Sequence, residues 1–531
     1  AWVVGVLRTA AARARDRAAP DAAVASLTRA LQEPPDADAL PGVLLELGQA
    51  EAISNAPAAM AHLRQAYDAI TDPGVRADLA LTLGRTLVFV GTPGSATRFA
   101  REAGAALPAD PPYADDRQAL LATERISGYL HDLDPAVWRR RPEPRIEGTG
   151  RGARMLAVAL AWEAVMDGVD RARAVELARF GVADGDLLSA DTGLLWVIAG
   201  QVLDLCDEDS TGLWDAGLAQ AHQRGDLFTA LGMHLWRGYV QWGRGDLREA
   251  AQALAAGNEL SHAWGAGGIA SGYGEAFQLG VLLDRGDLRA CRAYLEQVRP
   301  HPRITEGARM FGEAHARLLV AEGRHTEALD VLDGVAPIMA GVANPAWRPW
   351  RSARARAMAG QGRTKAALEL VEAELELAAV WGAPRVVGRT LRLRGELLGG
   401  DGAADLRAAV DLLGRGNARV EHARALVSLA RVCAEPEAVA SLRQAAALAA
   451  AGGADGVHRD AVAALAALGQ PAPARPPATE TLSATERQIL DRHLAGVGER
   501  DIAEALFLTP RSVRAALDAM RAAGTFDAGG T

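Results

Sequence analysis

Lysine is almost missing from this sequence: Lys365 is the only one, and arginine supplies the rest of the 57 basic residues. A P-loop requires Gly-Lys-Ser/Thr to cradle phosphates and place magnesium, and Lys365 is followed by Ala366, so nucleotide chemistry of that kind is excluded. Cysteine is scarce too. Cys206, Cys291 and Cys433 stand far apart with no CxxC or Cys/His spacing, which argues against a disulfide framework and a structural zinc site and points to a reducing, cytoplasmic setting. No apolar run approaches the roughly 20 residues that span a bilayer, so no membrane partner is expected. The start, Ala1-Trp2-Val3-Val4, has no charged stretch followed by an apolar one and a cleavage site. With no methionine at position 1, it reads as an internal start that something preceded. HExxH and Gly-x-Ser-x-Gly are missing, and with them the zinc-protease and nucleophile-elbow chemistries; no enzymatic activity, cofactor or metal is expected in this chain. A formal net charge of -9 is unsuited to coating nucleic acid along its length, because non-specific affinity comes from neutralising phosphates. Any DNA contact has to be local.

What the sequence does have is periodicity. At 531 residues it is several times the size of one domain, which leaves several domains or a repeat array. Hydrophobic residues at 49% and charged ones at 23%, with few aromatics, suit an all-α protein. A short turn signal recurs about every 36 to 41 residues. It reads Ala19-Pro20-Asp21, Ala56-Pro57, Thr92-Pro93-Gly94, Asp134-Pro135-Ala136, Gly245-Asp246, Gly286-Asp287, Gly323-Arg324 and Gly362-Arg363, with weaker copies near Asp170 and Asp401. Glycine ends one helix in the left-handed conformation, and the Asp, Thr or Pro that follows starts the next. Amphipathic stretches flank each signal, Val43–Glu51 before one and Ala366–Glu372 after another, with apolar residues at helical spacing. Gly48, Gly84, Ala250, Ala328 and Ala366 stand where two helices of a pair must approach closely.

This pattern resembles a degenerate, slightly lengthened tetratricopeptide repeat. The resemblance covers residues 1–469 and implies a stacked superhelix with a concave binding surface; an irregular all-α domain is the alternative. Gly265–Ala270 imitates a dinucleotide fingerprint but follows a helical pattern rather than a strand, so it reads as an inter-repeat loop. His222, His234 and His315 are expected in the core or on the surface, not as ligands. The tryptophans, 11 in all, are expected to serve packing.

Prolines 471, 473, 476 and 477 mark residues 470–481 as a stiff linker, after which residues 482–531 read as a separate module. Ser483 with Glu486 forms a capping box, and Ile489, Leu490 and Leu494 give the first helix an apolar stripe. That helix ends at Gly496, a second runs from Glu499 to Leu506, and Thr509-Pro510 opens a third that continues to about Ala522. Helix, tight turn and helix is the arrangement that seats a recognition helix in the major groove.

On Leu482-Ser483, Glu486-Arg487, Ile489-Leu490, Ala495-Gly496, Ile502-Ala503, Leu506-Phe507-Leu508, Thr509, Ser512-Val513 and Leu517, the module resembles the LuxR-type helix-turn-helix. With the repeats upstream, the chain resembles the C-terminal part of the large ATP-binding, MalT-like LuxR-family regulators. That resemblance implies a transcriptional regulator, with double-stranded DNA and RNA polymerase as partners. It further implies a protein or small-molecule effector on the repeats, self-association, and ATP only in a module preceding residue 1. Thr509, Arg511, Ser512, Arg514 and Arg521 are the expected DNA contacts, with Arg511, Ser512 and Arg514 at the groove and Arg521 on phosphate. The chain departs from the family at Glu499, where Asn is usual, and at Ala515, Ala516 and Ala522, where His or Lys is usual. From 482 to 531 six arginines face seven acids, and Gly529-Gly530-Thr531 leave little room for the family's fourth helix. These departures motivate the alternative function, a protein-interaction scaffold whose helix-turn-helix has little DNA affinity.

Overall fold

A computed structural model describes residues 2–526 apart from 93, 132–141, 190–192, 265–271, 299–304, 339–340, 474–481 and 523. The described elements are all helical; among them no helix is long and apolar enough to cross a membrane. Consecutive helices pack on one another along the chain, giving an all-α helical-repeat array.

Its turns are built as the recurring signal predicts. Pro20 begins the helix Pro20–Gln32, and the Asn55 side chain caps Ala56–Ala69 by accepting from the Ala58 amide. Gly245, Gly286, Gly323 and Gly362 all take positive φ, and Asp287 caps the helix Leu288–Leu295 through the Ala290 amide. Asp170 caps Arg171–Val182 in the same way. At Gly48 a Cβ would lie 2.7 Å from the Leu63 side chain, so glycine lets paired helices meet. The Asp134-Pro135-Ala136 signal, Pro93 and the Gly265–Ala270 loop lie outside the described residues.

The array winds back onto itself, which a strictly nearest-neighbour solenoid does not do. Hydrogen bonds join Trp264 to Ala52, Asn344 to Val165, Arg385 to Asp204 and Arg419 to Asp246, across 173 to 212 residues of sequence. The turn at Gly286 meets Gly456 so closely that a Cβ would lie 2.5 Å from the Gly456 Cα, and its φ of +78 independently favours glycine. Between the stacked windings lies a large cleft open to solvent.

Aromatic side chains fill the space between windings. Trp162, Trp236 and Trp347 cluster with Tyr129, Tyr239, Tyr273 and Phe277. Beneath them lies the buried Glu306 carboxylate, which accepts from the hydroxyls of Tyr129 and Tyr273 and from the Trp347 indole at 2.5 to 2.7 Å. Buried Arg309 lies 3.5 Å from Glu306 and 2.8 Å from Glu313. A carboxylate survives in an apolar core only when so thoroughly paired. Packing accounts for most of the tryptophans; Trp2, at 80% exposure, is an exception. His234 is buried, His315 partly buried and His222 exposed.

Candidate functional site: the recognition helix and its dock

Three helices follow the array: Ala484–Leu494, Glu499–Ala505 and Pro510–Ala522. The first is held by the capping box, with Ser483 accepting from the Glu486 amide and the Glu486 carboxylate accepting from the Ser483 amide. Thr509 Oγ1 accepts from the Ser512 amide at 3.0 Å, the cap that Thr-Pro foretells. Ile489, Leu490, Ile502, Ala503, Val513, Leu517 and Met520 form one small core.

Two positions differ from expectation. Leu494 is 60% exposed rather than part of the apolar stripe, because the helix ends there and its last turn has nothing to pack on. Ala516 is buried in the core, so a His or Lys there would not face outward; small size at that position is a packing requirement. Residues 527–531, Gly529-Gly530-Thr531 included, and linker residues 474–481 lie outside the described residues.

The expected DNA contacts are divided by their surroundings. Arg511 is 87% exposed, with its Nε 3.6 Å from Glu259 on the array. Arg514 is exposed and paired with Glu499 at 2.8 Å, and Arg521 pairs with Asp518 at 3.0 Å while covering the Phe526 ring. Glu499 also raises the Arg514 pKa, first by hydrogen bonding and then by charge. Thr509 and Ser512 are partly buried and their hydroxyls bond each other at 2.8 Å. The geometry thus places three arginines along the outer face of one helix, with Arg514 and Arg521 hydrogen-bonded to a carboxylate and Arg511 exposed with one nearby.

Sequence reading missed the dock. Glu249 accepts from both the amide and the hydroxyl of Thr485 at 2.8 Å, tying the module to the array helix Leu247–Trp264. Phe507 takes φ +57, rare for a bulky residue, and its ring stacks 4.3 Å from that of His222. The same turn hydrogen-bonds buried His234; burial, then the charges of Arg237 and His222, lower that histidine's pKa to about 3. His222, His234, Glu249 and Glu259 lie more than two hundred residues upstream in sequence, and no local spacing joins them to the module. The only hint was Phe507, an aromatic in a turn.

No protein-family model and no curated protein matches the sequence. Among solved structures, the crystal structure of the APC/C hetero-tetramer Cut9–Hcn1 is similar at 11% identity and a TM-score of 0.39, covering 86% of this chain and 96% of that one. A structure of Naa15/Naa10 bound to HypK-THB is similar at 14% identity and a TM-score of 0.23, covering 92% and 76%. Superpositions this loose establish neither family nor function.

Proposed function

We propose that the chain is a protein-interaction scaffold, with the repeat array at 1–469 as its working surface and a terminal helix-turn-helix at 482–531 that has little DNA affinity. One observation carries this reading: the module is docked on the array, Glu249 holding Thr485 and His222 lying against Phe507, which sets the start of the recognition helix beside Glu259. Base reading by a recognition helix depends on its N-terminal residues entering the groove, and here that end is turned to an acid-bearing helix. No catalytic role and no cofactor belongs to the scaffold; ATP would belong to a preceding module.

A second reading is a DNA-binding transcriptional regulator whose module is released from the dock. It is favoured by the intact capping box, the Thr509 cap and the outward Arg511, Arg514 and Arg521. In that reading these arginines, with Thr509 and Ser512, meet DNA, and RNA polymerase is the downstream partner. A gel shift at low salt separates the two, using the full chain and its Glu249→Gln/Glu259→Gln form. The scaffold reading expects no retardation of DNA from either. A shift gained by the double variant and lost again on adding Arg511→Ala and Arg514→Ala would overturn it in favour of the regulator.

A further inference from the structure

Seven arginines line one solvent-open cleft of the array, of about 840 Å³, a size typical of small-molecule sites, roughly 300–1,000 Å³. Arg385, Arg389 and Arg392 recur at helical spacing on one face of the helix Pro384–Leu398. Arg424 lies on Arg419–Ala430 and Arg431 is the residue that caps that helix's C-terminus, and Arg317 and Arg356 come from neighbouring helices.

Four of these guanidinium groups are satisfied by the protein. Arg385 pairs with Asp204 and Asp207 at 2.9 and 3.1 Å. Arg317 and Arg424 share Asp284, both at 2.7 Å, and Arg392 takes Glu396 and Glu421 at 2.6 and 2.7 Å. The other three are not. Arg356 lies 3.5 Å from Glu396 Oε2, too far for a strong hydrogen bond, while Arg392 and Ser428 both donate to Glu396 Oε1 at 2.6 Å. Arg389 donates to the Pro345 carbonyl at 2.8 Å, yet its buried Nε has no hydrogen-bond partner among the described residues. Arg431 is exposed at the cavity's edge. Burial, reinforced by the charge of Arg392, lowers the Arg356 pKa to about 10, the mark of a cation with too little negative charge around it. Tyr239, Trp242 and Trp347 supply an apolar part of the lining.

We propose that this cavity binds a small organic anion, its phosphate or carboxylate groups held by Arg356, Arg389 and Arg431 and its apolar part against Trp242 and Tyr239. Such an anion would supply the acceptors these guanidinium groups lack, in short charge-assisted hydrogen bonds. A volume of about 840 Å³ suits a small ligand better than an acidic protein tail. The site stands whether or not the helix-turn-helix reads DNA.

The test titrates the full chain with pyrophosphate and, separately, with citrate, read by thermal shift and calorimetry. Either anion should raise the melting temperature, and the stronger of the two identifies phosphate or carboxylate as the recognised group. Arg356→Gln and Arg389→Gln should each weaken binding about tenfold or more, the worth of a lost charged hydrogen bond. Arg356→Lys should retain part of it, and Arg13→Gln, on an exposed face, all of it. Circular dichroism and the ligand-free melting temperature establish that each variant is folded. No response to either anion at millimolar concentration overturns the proposal, as does undiminished binding by the folded glutamine variants. Binding of polyglutamate alone also overturns it, in favour of an acidic peptide.

Discussion

The cleft of the array and the recognition helix are built from the same pieces, arginines opposed by carboxylates, set in different surroundings. In the cavity, burial alone would raise the Glu396 pKa, yet Arg392, Arg356 and the Ser428 hydroxyl hold it at about 2. Glu421 is likewise held well below its usual range by Arg392 and Arg424 against the pull of burial. On the recognition helix, Arg514 and Arg521 meet single carboxylates in water, where ion pairs contribute little. The same residue types therefore hold a structure together in one place and remain exchangeable in the other. Only the second kind is free to trade a carboxylate for a phosphate without unfolding anything.

That contrast can be broken most forcefully in the aromatic core. Glu306→Ala leaves the buried Tyr129 and Tyr273 hydroxyls without their acceptor and Arg309 with Glu313 alone, and should cost about 3 kcal/mol, seen as a large fall in melting temperature with loss of tryptophan near-UV signal. A loss no greater than that of a surface substitution would show that the core is not held as described. Next comes acid. Glu396, with its folded pKa lowered, contributes stability that is complete above its unfolded value near 4.3 and is lost as pH falls toward about 2. Glu396→Gln should flatten the stability curve in that window by about 2 kcal/mol, allowing for partial exposure.

At the dock, His234 is held neutral with a pKa of about 3, so its stabilising contribution is present above its unfolded value near 6.5 and fades as pH drops below it. Exchange protection across 484–522, taken relative to the intrinsic rate at each pH, should fall on acidification, and His234→Gln should make it less pH-dependent; equal pH dependence in both chains would remove the histidine from the dock. Glu249→Gln, which replaces one charged partner of Thr485, should cost docking about 1 kcal/mol and raise exchange in the terminal helices while leaving the array unchanged. Smallest of all, Arg514→Ala should leave the melting temperature where it is, since its partner Glu499 is equally well served by water.

How much could be read in advance differs by region. The turns were legible because a glycine with positive φ and a following Asp cap are local requirements, satisfied within a few residues at Gly286-Asp287. The terminal helices were legible for the same reason, through Ser483, Glu486 and Thr509. Leu494 and Ala516 were misread because burial at a helix end or on a short three-helix core depends on neighbours from other helices. The arginine-lined cavity was not legible at all: Arg317, Arg356, Arg389 and Arg431 look like ordinary solvated positions until several helices bring them to one wall.

By itself, then, the sequence determined the helical class, the spacing of the turns and the framework of the terminal module, because helix periodicity, caps and left-handed glycines are short-range effects. Tertiary structure alone decided that the array winds back on itself, that Glu249 and His222 receive the module, and which cleft arginines are left short of acceptors. Those outcomes depend on contacts between different helices, from about thirty to more than two hundred positions apart, where desolvation and the number of charges brought together set the energy, and no local pattern records them.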